Sequence, residues 1–332
     1  MQEPALPQLA LTILAVDFLR YAIAAGAVWL LVEVLLRRRL AGRRILDGTR
    51  QPGQVRREVT YSLSTVVIFA ANGLLVWLLA AAGTIEIDTD VATRGWAWWW
   101  VSLGLIVVAH DAWFYWTHRA LHHRRWFRAV HGRHHQSLHP TPWAAYAFHP
   151  VEALVQAAFL PLFLLVVPVH GAVIAVFLVH MILRNTIGHC AHELWPWRWT
   201  PRGWLGWITP VSHHHFHHAR NRGNYGLYFT WWDRWCGTED ATYLQHGDAR
   251  VGRAARSESA AGGALCLVWG WRWQAQRAPS LKAASSASGG RQASMPGFAS
   301  SPAATRSAGA SSGCGTRRRR ASPTRARCSA AW

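Results

Sequence analysis

Between residues 153 and 183 the chain carries no Asp, Glu, Lys or Arg. One straight helix of that length would rise roughly 45 Å, well past a hydrocarbon core of about 30 Å. Pro161, Pro168 and Gly171 interrupt the run, which predicts a helical hairpin or re-entrant pair. Two further apolar stretches, residues 11–36 and 61–82, have spanning length. Asp17, Arg20 and Glu33 interrupt the first, and Asp17 and Arg20 stand three apart, a spacing that lets them pair on one helix face. Residues 96–109 run without a breaker through His110 into DAWFYWTHRALHH. This predicts one long helix that leaves the membrane carrying histidines. Trp96, Trp98, Trp99 and Trp100 at its start suit an interfacial belt. The expectation is an all-α integral membrane protein with about four to five membrane helices.

Composition agrees. The 332 residues include 22 Trp, and only 15% are charged, against roughly a quarter in soluble domains. The net charge of +19 is concentrated in residues 247–332, where 14 Arg or Lys face two acidic residues. No recognisable module presents a basic face, so nucleic-acid binding is not expected. None of the five cysteines forms a C-x-x-C pair, and a reducing compartment is the default. The N-terminus lacks a basic n-region and a clear cleavage site, and reads as leading into a retained helix.

Eight arginines lie between residues 37 and 57, whereas the loop GTIEIDTDVATRG is acidic with a single Arg. The positive-inside rule then puts the first loop in the cytoplasm, which in a bacterium means the inner face of the inner membrane. The third span ends on that side, and a hairpin at 153–183 returns the chain there, so both histidine-rich regions can meet. The expected organisation is membrane helices and a basic loop over 1–95, a catalytic domain over 96–246, and a tail over 247–332. The tail is rich in Ala, Ser, Gly and Arg without a sustained period, a composition expected to stay disordered.

Six histidines fall in the twenty residues from His118 to Ser137, and HHHFHH follows at His213 to His218. On a helix, residues three or four apart share a face, so His118 pairs with His122, and His131 groups with His134 and His135. His214, His217 and His218 repeat the second pattern. Neutral imidazole is the commonest metal ligand and suits iron, zinc and copper. Eight imidazoles exceed what one ion needs, and two metals sharing a site is the economical inference. His139, His149, His170, His180 and His246 belong to no box and read as ordinary polar residues. A membrane zinc hydrolase would show H-E-x-x-H, whereas HCAHE at His189 to Glu193 has another order. A histidine-rich metal transporter or sensor would distribute its ligands along an intramembrane path.

Together, HDAWFYWTHRALHH, HGRHHQS, FHPVE, HHHFHH and NYGLYFTWWDRWCGT resemble the fatty acid hydroxylase/sterol desaturase superfamily of membrane histidine-box oxidases. The resemblance covers roughly residues 96–240. It implies boxes at His118/His122, His131/His134/His135 and His214/His217/His218. It also implies a further ligand after the hairpin, carried onto His189 with His192 as runner-up. Some relatives have a histidine four residues earlier, where this chain has Asn185. His213 matches a family histidine expected beside the ligands rather than among them. Asp111, Glu152 and Asp233 are candidates to orient the imidazoles. The resemblance further implies two irons in a cytoplasm-facing cap, dioxygen as co-substrate and a lipid substrate from the bilayer. The external electron donor it implies is a ferredoxin-like or cytochrome b5-like protein.

Overall fold

The computed structural model describes residues 5–196, 203–240 and 242–245, all within one compact unit. The tail and His246 lie outside the described residues. Seven helices organise the rest: α1 Leu6–Leu35, α2 Gln54–Ala81, α3 Gly95–Leu121, α4 Pro150–Leu164, α5 Gly171–Gly188, α6 Val211–Arg220 and α7 Trp231–Trp235. Among the described residues, α1, α2 and α5 are long and apolar enough to cross a membrane. The third helix has the length, but its Trp-rich start and polar end lower its hydropathy. It is nevertheless one uninterrupted helix from Gly95 to Leu121, as its sequence predicts.

Residues 150–188 form the expected hairpin, with one adjustment. Pro161 does not turn the chain. The bend within α4 falls at Ala158, and Pro161 sits in the first turn of the second half, where its missing N–H costs little. The reversal comes at residues 165–170 around Pro168. His170 then caps α5 by accepting from the Ala172 N–H at 3.0 Å.

Short pairings show which ends lie together. Ile87 and Asp88, just after α2, pair in parallel with Val169 and His170 in the hairpin turn. Trp98 also donates to the Pro168 carbonyl at 2.9 Å. At the other end the basic segment after α1 meets the chain after α5: the Ile45 N–H donates to Ala191 O, and the Glu193 N–H to Arg43 O. The ends of α1, α3 and α5 therefore meet at one pole.

Two apolar layers lock the helices. Ile106, Phe159, Val173 and Phe177 join α3, α4 and α5. Tyr21 stacks on Tyr146 at 5.6 Å and donates to Trp143 O, which also accepts from Ser62. This second layer binds α1 and α2 to the Pro142–Tyr146 turn that follows the second histidine box. Asp17 and Arg20 pair at 2.7 Å, as their spacing suggests. The outward faces are apolar, with Leu11, Ile23, Val67, Trp96 and Trp100 exposed, as expected of helices solvated by lipid.

Candidate metal centre

The long helix α3 delivers His118 from its last turn and His122 from its C-cap. The next box is not on a regular helix: His131, His134 and His135 lie on a tight 3₁₀ segment, His131–Gln136. His189 caps the C-terminus of α5, and His214, His217 and His218 lie on α6. Four separate segments thus aim imidazoles at one place.

The nine rings fall into two groups. His118, His122, His131, His135 and His217 form one, and His134, His189, His214 and His218 the other. Within each, the candidate ligand atoms lie within 4.8 Å of one another. The groups adjoin through His134 and His135, and the His135 and His218 ring centroids are 4.7 Å apart. His192 belongs to neither group; its Nδ1 lies 2.9 Å from the Cys190 carbonyl.

Hydrogen bonds at the backs of the rings fix what faces inward. His118 Nδ1 lies 2.9 Å from Tyr225 O, His122 Nδ1 3.1 Å from Asn221 O, and His217 Nδ1 2.7 Å from Gly223 O. His189 Nδ1 lies 2.7 Å from Asn185 O. A carbonyl only accepts, so each Nδ1 must carry the proton and each Nε2 must present a lone pair. Yet Nε2 atoms face Nε2 atoms: His122 to His217 at 3.2 Å, His118 to His131 at 3.1 Å, and His214 to His189 at 3.1 Å. His122 with His217 is the clearest case, because both are locked as Nδ1–H. Two lone pairs at that distance repel, and only a cation between them reverses the sign. Burial also draws His118 and His189 down to about 4, and His131, His134, His135, His214, His217 and His218 well below the usual range. The rings are therefore neutral and able to ligate. The residues fit a pair of metal ions.

The expected orienting residues divide by what they touch. Glu152 Oε1 lies 2.8 Å from His131 Nδ1, and both side chains are buried. Asp233 touches no box histidine directly. Its Oδ1 accepts from the Tyr225 N–H and Thr238, and its Oδ2 from the Gly226 N–H, so it clamps the turn whose carbonyls hold His118 and His217. Burial alone would raise this carboxyl, but those bonds and neighbouring His213, 3.3 Å away, hold it below the usual range. Asp111 shares the His118 face of α3 but points elsewhere, accepting from the Tyr228 and Phe229 N–H groups and from the Trp231 indole. Asn185 donates through its side chain to Ala145 O, while its carbonyl holds His189.

The carbonyls of Asn221 and Gly223, and the backbone around them, carry no sequence signature of their own. Asn221, Gly223 and Asn224 all have left-handed φ, between 54° and 67°. Asn or Gly at those positions is the one available signal.

Two cavities bear on access, and none of the nine histidines lines the first. One of about 260 Å³ lies among α1 to α5, walled by Ile13, Phe69, Leu160, Phe177 and Met181 and touched by His110 and Gln156. His110 precedes His118 by eight residues, about 12 Å of helix rise. The other, about 550 Å³, is lined by Trp116, Arg119, His122, Trp126 and Tyr225. Of the nine histidines, His122 alone is partly exposed.

Residues 103–238 match the family described as Fatty acid hydroxylase. Over this region the chain is similar to the fatty acid hydroxylase/sterol desaturase superfamily, in line with its histidine boxes. The chain is 31% identical over 188 residues to a Delta(7)-sterol 5(6)-desaturase of Gibberella zeae, covering 57% of each chain. It is 32% identical over 183 residues to the lathosterol oxidase of Mus musculus, 54% of this chain and 60% of the relative. It is 29% identical over 137 residues to methylsterol monooxygenase 1 of Rattus norvegicus, 41% of this chain and 45% of the relative. The chain thus spans little more than half the length of the first of these relatives. No solved structure matches it.

Proposed function

We propose that this chain is a multi-pass membrane oxidoreductase that uses two irons and dioxygen to hydroxylate or desaturate a lipid at an unactivated C–H bond. The observation that carries the reading is the His122–His217 pair, two neutral imidazoles locked as Nδ1–H whose inward nitrogens face each other with no proton between them, at the centre of nine converging rings. Two irons would be held by His118, His122, His131, His135 and His217 on one side and by His134, His189, His214 and His218 on the other. When bound, they supply the oxidising chemistry with O2 that no side-chain acid or base can provide.

The protein's contribution is placement and exclusion. All nine ligands are imidazoles, so they hold the ions without adding anionic charge. Carbonyls behind His118, His122, His189 and His217 fix their tautomers. The buried surroundings keep bulk water away from eight of the nine rings. The largely apolar cavity among α1 to α5 offers a lipid a chamber between the helices. Sterols are the first class to test, because the relatives named above are called sterol desaturase, lathosterol oxidase and methylsterol monooxygenase. The partly exposed edge at His122, beside Arg119, suits delivery of electrons by an external ferredoxin-like or cytochrome b5-like protein. Positive-inside logic puts this pole on the cytoplasmic face.

The test is oxidation of lipid extracts by the purified, iron-loaded protein with a reductant and O2. Products are read by mass spectrometry. New hydroxylated or desaturated lipids that require both O2 and reductant support the reading. Hydrolysis products formed without O2 refute it.

A further inference from the structure

The two histidine groups are built differently behind their rings. In the five-histidine group, four Nδ1 atoms have a fixed acceptor: Tyr225 O behind His118, Asn221 O behind His122, Gly223 O behind His217 and Glu152 Oε1 behind His131. Only His135 Nδ1 lacks one. The four-histidine group is the reverse. His189 alone is firmly anchored, to Asn185 O; His134 has only a looser contact with the Ala147 backbone, and the buried Nδ1 atoms of His214 and His218 find no acceptor.

Three of the anchors come from alternate residues of one strained segment. The left-handed backbone at Asn221, Gly223 and Asn224 turns the carbonyls of Asn221, Gly223 and Tyr225 toward the first group. Such a conformation persists only when its surroundings hold it. Here Asp233 accepts from the Tyr225 and Gly226 N–H groups, and the Asn224 N–H donates to Thr238 O. Asn224 also donates to His213 O through its side chain and accepts from the Asp240 N–H. N-Y-G and W-D-R-x-x-G-T are therefore two halves of one clamp behind three ligands.

Resting on the di-metal reading above, we infer that the two metal positions are unequal: the five-histidine group is the prebuilt site that holds its ion more tightly, and Asp233 and Glu152 are the positioning residues that make it so. An imidazole locked in tautomer and direction loses little freedom when it ligates. One with a free Nδ1 must be ordered by the ion itself. Loss of an outer partner typically costs about 10- to 100-fold in metal affinity, and the first group has three more such firm partners than the second. Glu152 supplies the acceptor behind His131, and its own burial holds that contact in place.

The experiment is iron release from the full-length holoprotein in detergent to a chromophoric ferrous chelator, with Mössbauer spectra of the iron before release. Two phases of equal amplitude and two distinct iron signals are expected, the rates differing by at least about tenfold. His214→Ala, which removes a ligand from the second group, should abolish the fast phase and leave the slow one. Asp233→Asn should speed the slow phase about 10- to 100-fold and leave the fast phase unchanged. Glu152→Ala removes the acceptor behind His131 but leaves the clamp intact, and should do the same while altering only one Mössbauer signal. Both irons leaving together, or either variant accelerating both phases alike, overturns the inference and leaves the di-iron reading standing. A purified protein that binds no iron overturns both.

Discussion

Replacing Asp111 with Ala separates a structural tie from a metal support. Asp111 is fully buried, and its carboxylate accepts from the Tyr228 N–H at 2.8 Å, the Phe229 N–H at 3.3 Å and the Trp231 indole at 3.0 Å. Truncation strands these donors. A buried unsatisfied donor costs about 1–3 kcal/mol. The Phe229 contact is long and Trp231 is only half-buried, so both count at the low end, and removing a buried carboxylate returns part of its desolvation cost. A net loss of about 3 kcal/mol follows, or a fall in Tm of roughly 5–10 °C. Asp111→Asn keeps an acceptor for Tyr228 and should lose about half as much. The assay is thermal unfolding in detergent together with iron per protein measured in the cold. Because Asp111 touches no box histidine, iron content should match wild type in both variants. Iron lost at an unchanged Tm would refute the reasoning and make Asp111 a direct support of the metal.

Gly223→Ala should lower both stability and iron content. Its φ is +67° and an added Cβ would sit 2.6 Å from Thr238 O, so a left-handed cost of about 1–2 kcal/mol is joined by a backbone clash. Gly237→Ala has the same φ but open space around the new Cβ, and should cost only that first amount and keep its iron; equal iron loss in the two would refute the clamp. His214→Ala should lose iron, whereas His213→Ala, which removes a neighbour of Asp233, should keep most of it; the reverse pattern would put the third box one residue out of register. In the metal-free protein His118 and His189 are lowered to about 4 by burial, while unfolded histidine titrates near 6.5. Between those values the unfolded chain binds more protons, so stability should fall as pH drops from about 6.5 towards 4. Denaturant midpoints of the chelator-stripped protein at several pH values check this, and a flat or rising midpoint on acidification would refute it.

Much of this molecule was legible in its residue order. Lack of charge over 153–183 with Pro168 and Gly171 near its middle announced the hairpin, and i,i+3 and i,i+4 spacing announced shared histidine faces. The Asp17–Arg20 pair followed from the same periodicity. What spacing did not supply was partnership between distant segments. His131, His134 and His135 share a direction on a tight 3₁₀ segment rather than on an α-helix. The division into five and four keeps the first box together but splits the second and third, because it depends on how α3, α5 and α6 cross. Asp111 shows the limit of periodicity: it lies on the His118 side of α3, yet its partners come from residues 228–231, more than a hundred positions away. The carbonyls behind His118, His122 and His217 were hidden for another reason, since a backbone oxygen has no letter in the sequence.

The most direct test is metal stoichiometry of the purified full-length protein, read by elemental analysis beside O2-dependent lipid oxidation. Nine imidazoles in groups of five and four should bring two irons per chain, with turnover lost when either group is broken by His135→Ala or His218→Ala. A single zinc per chain, with lipid chemistry that proceeds without O2 or reductant, would contradict the di-iron reading outright.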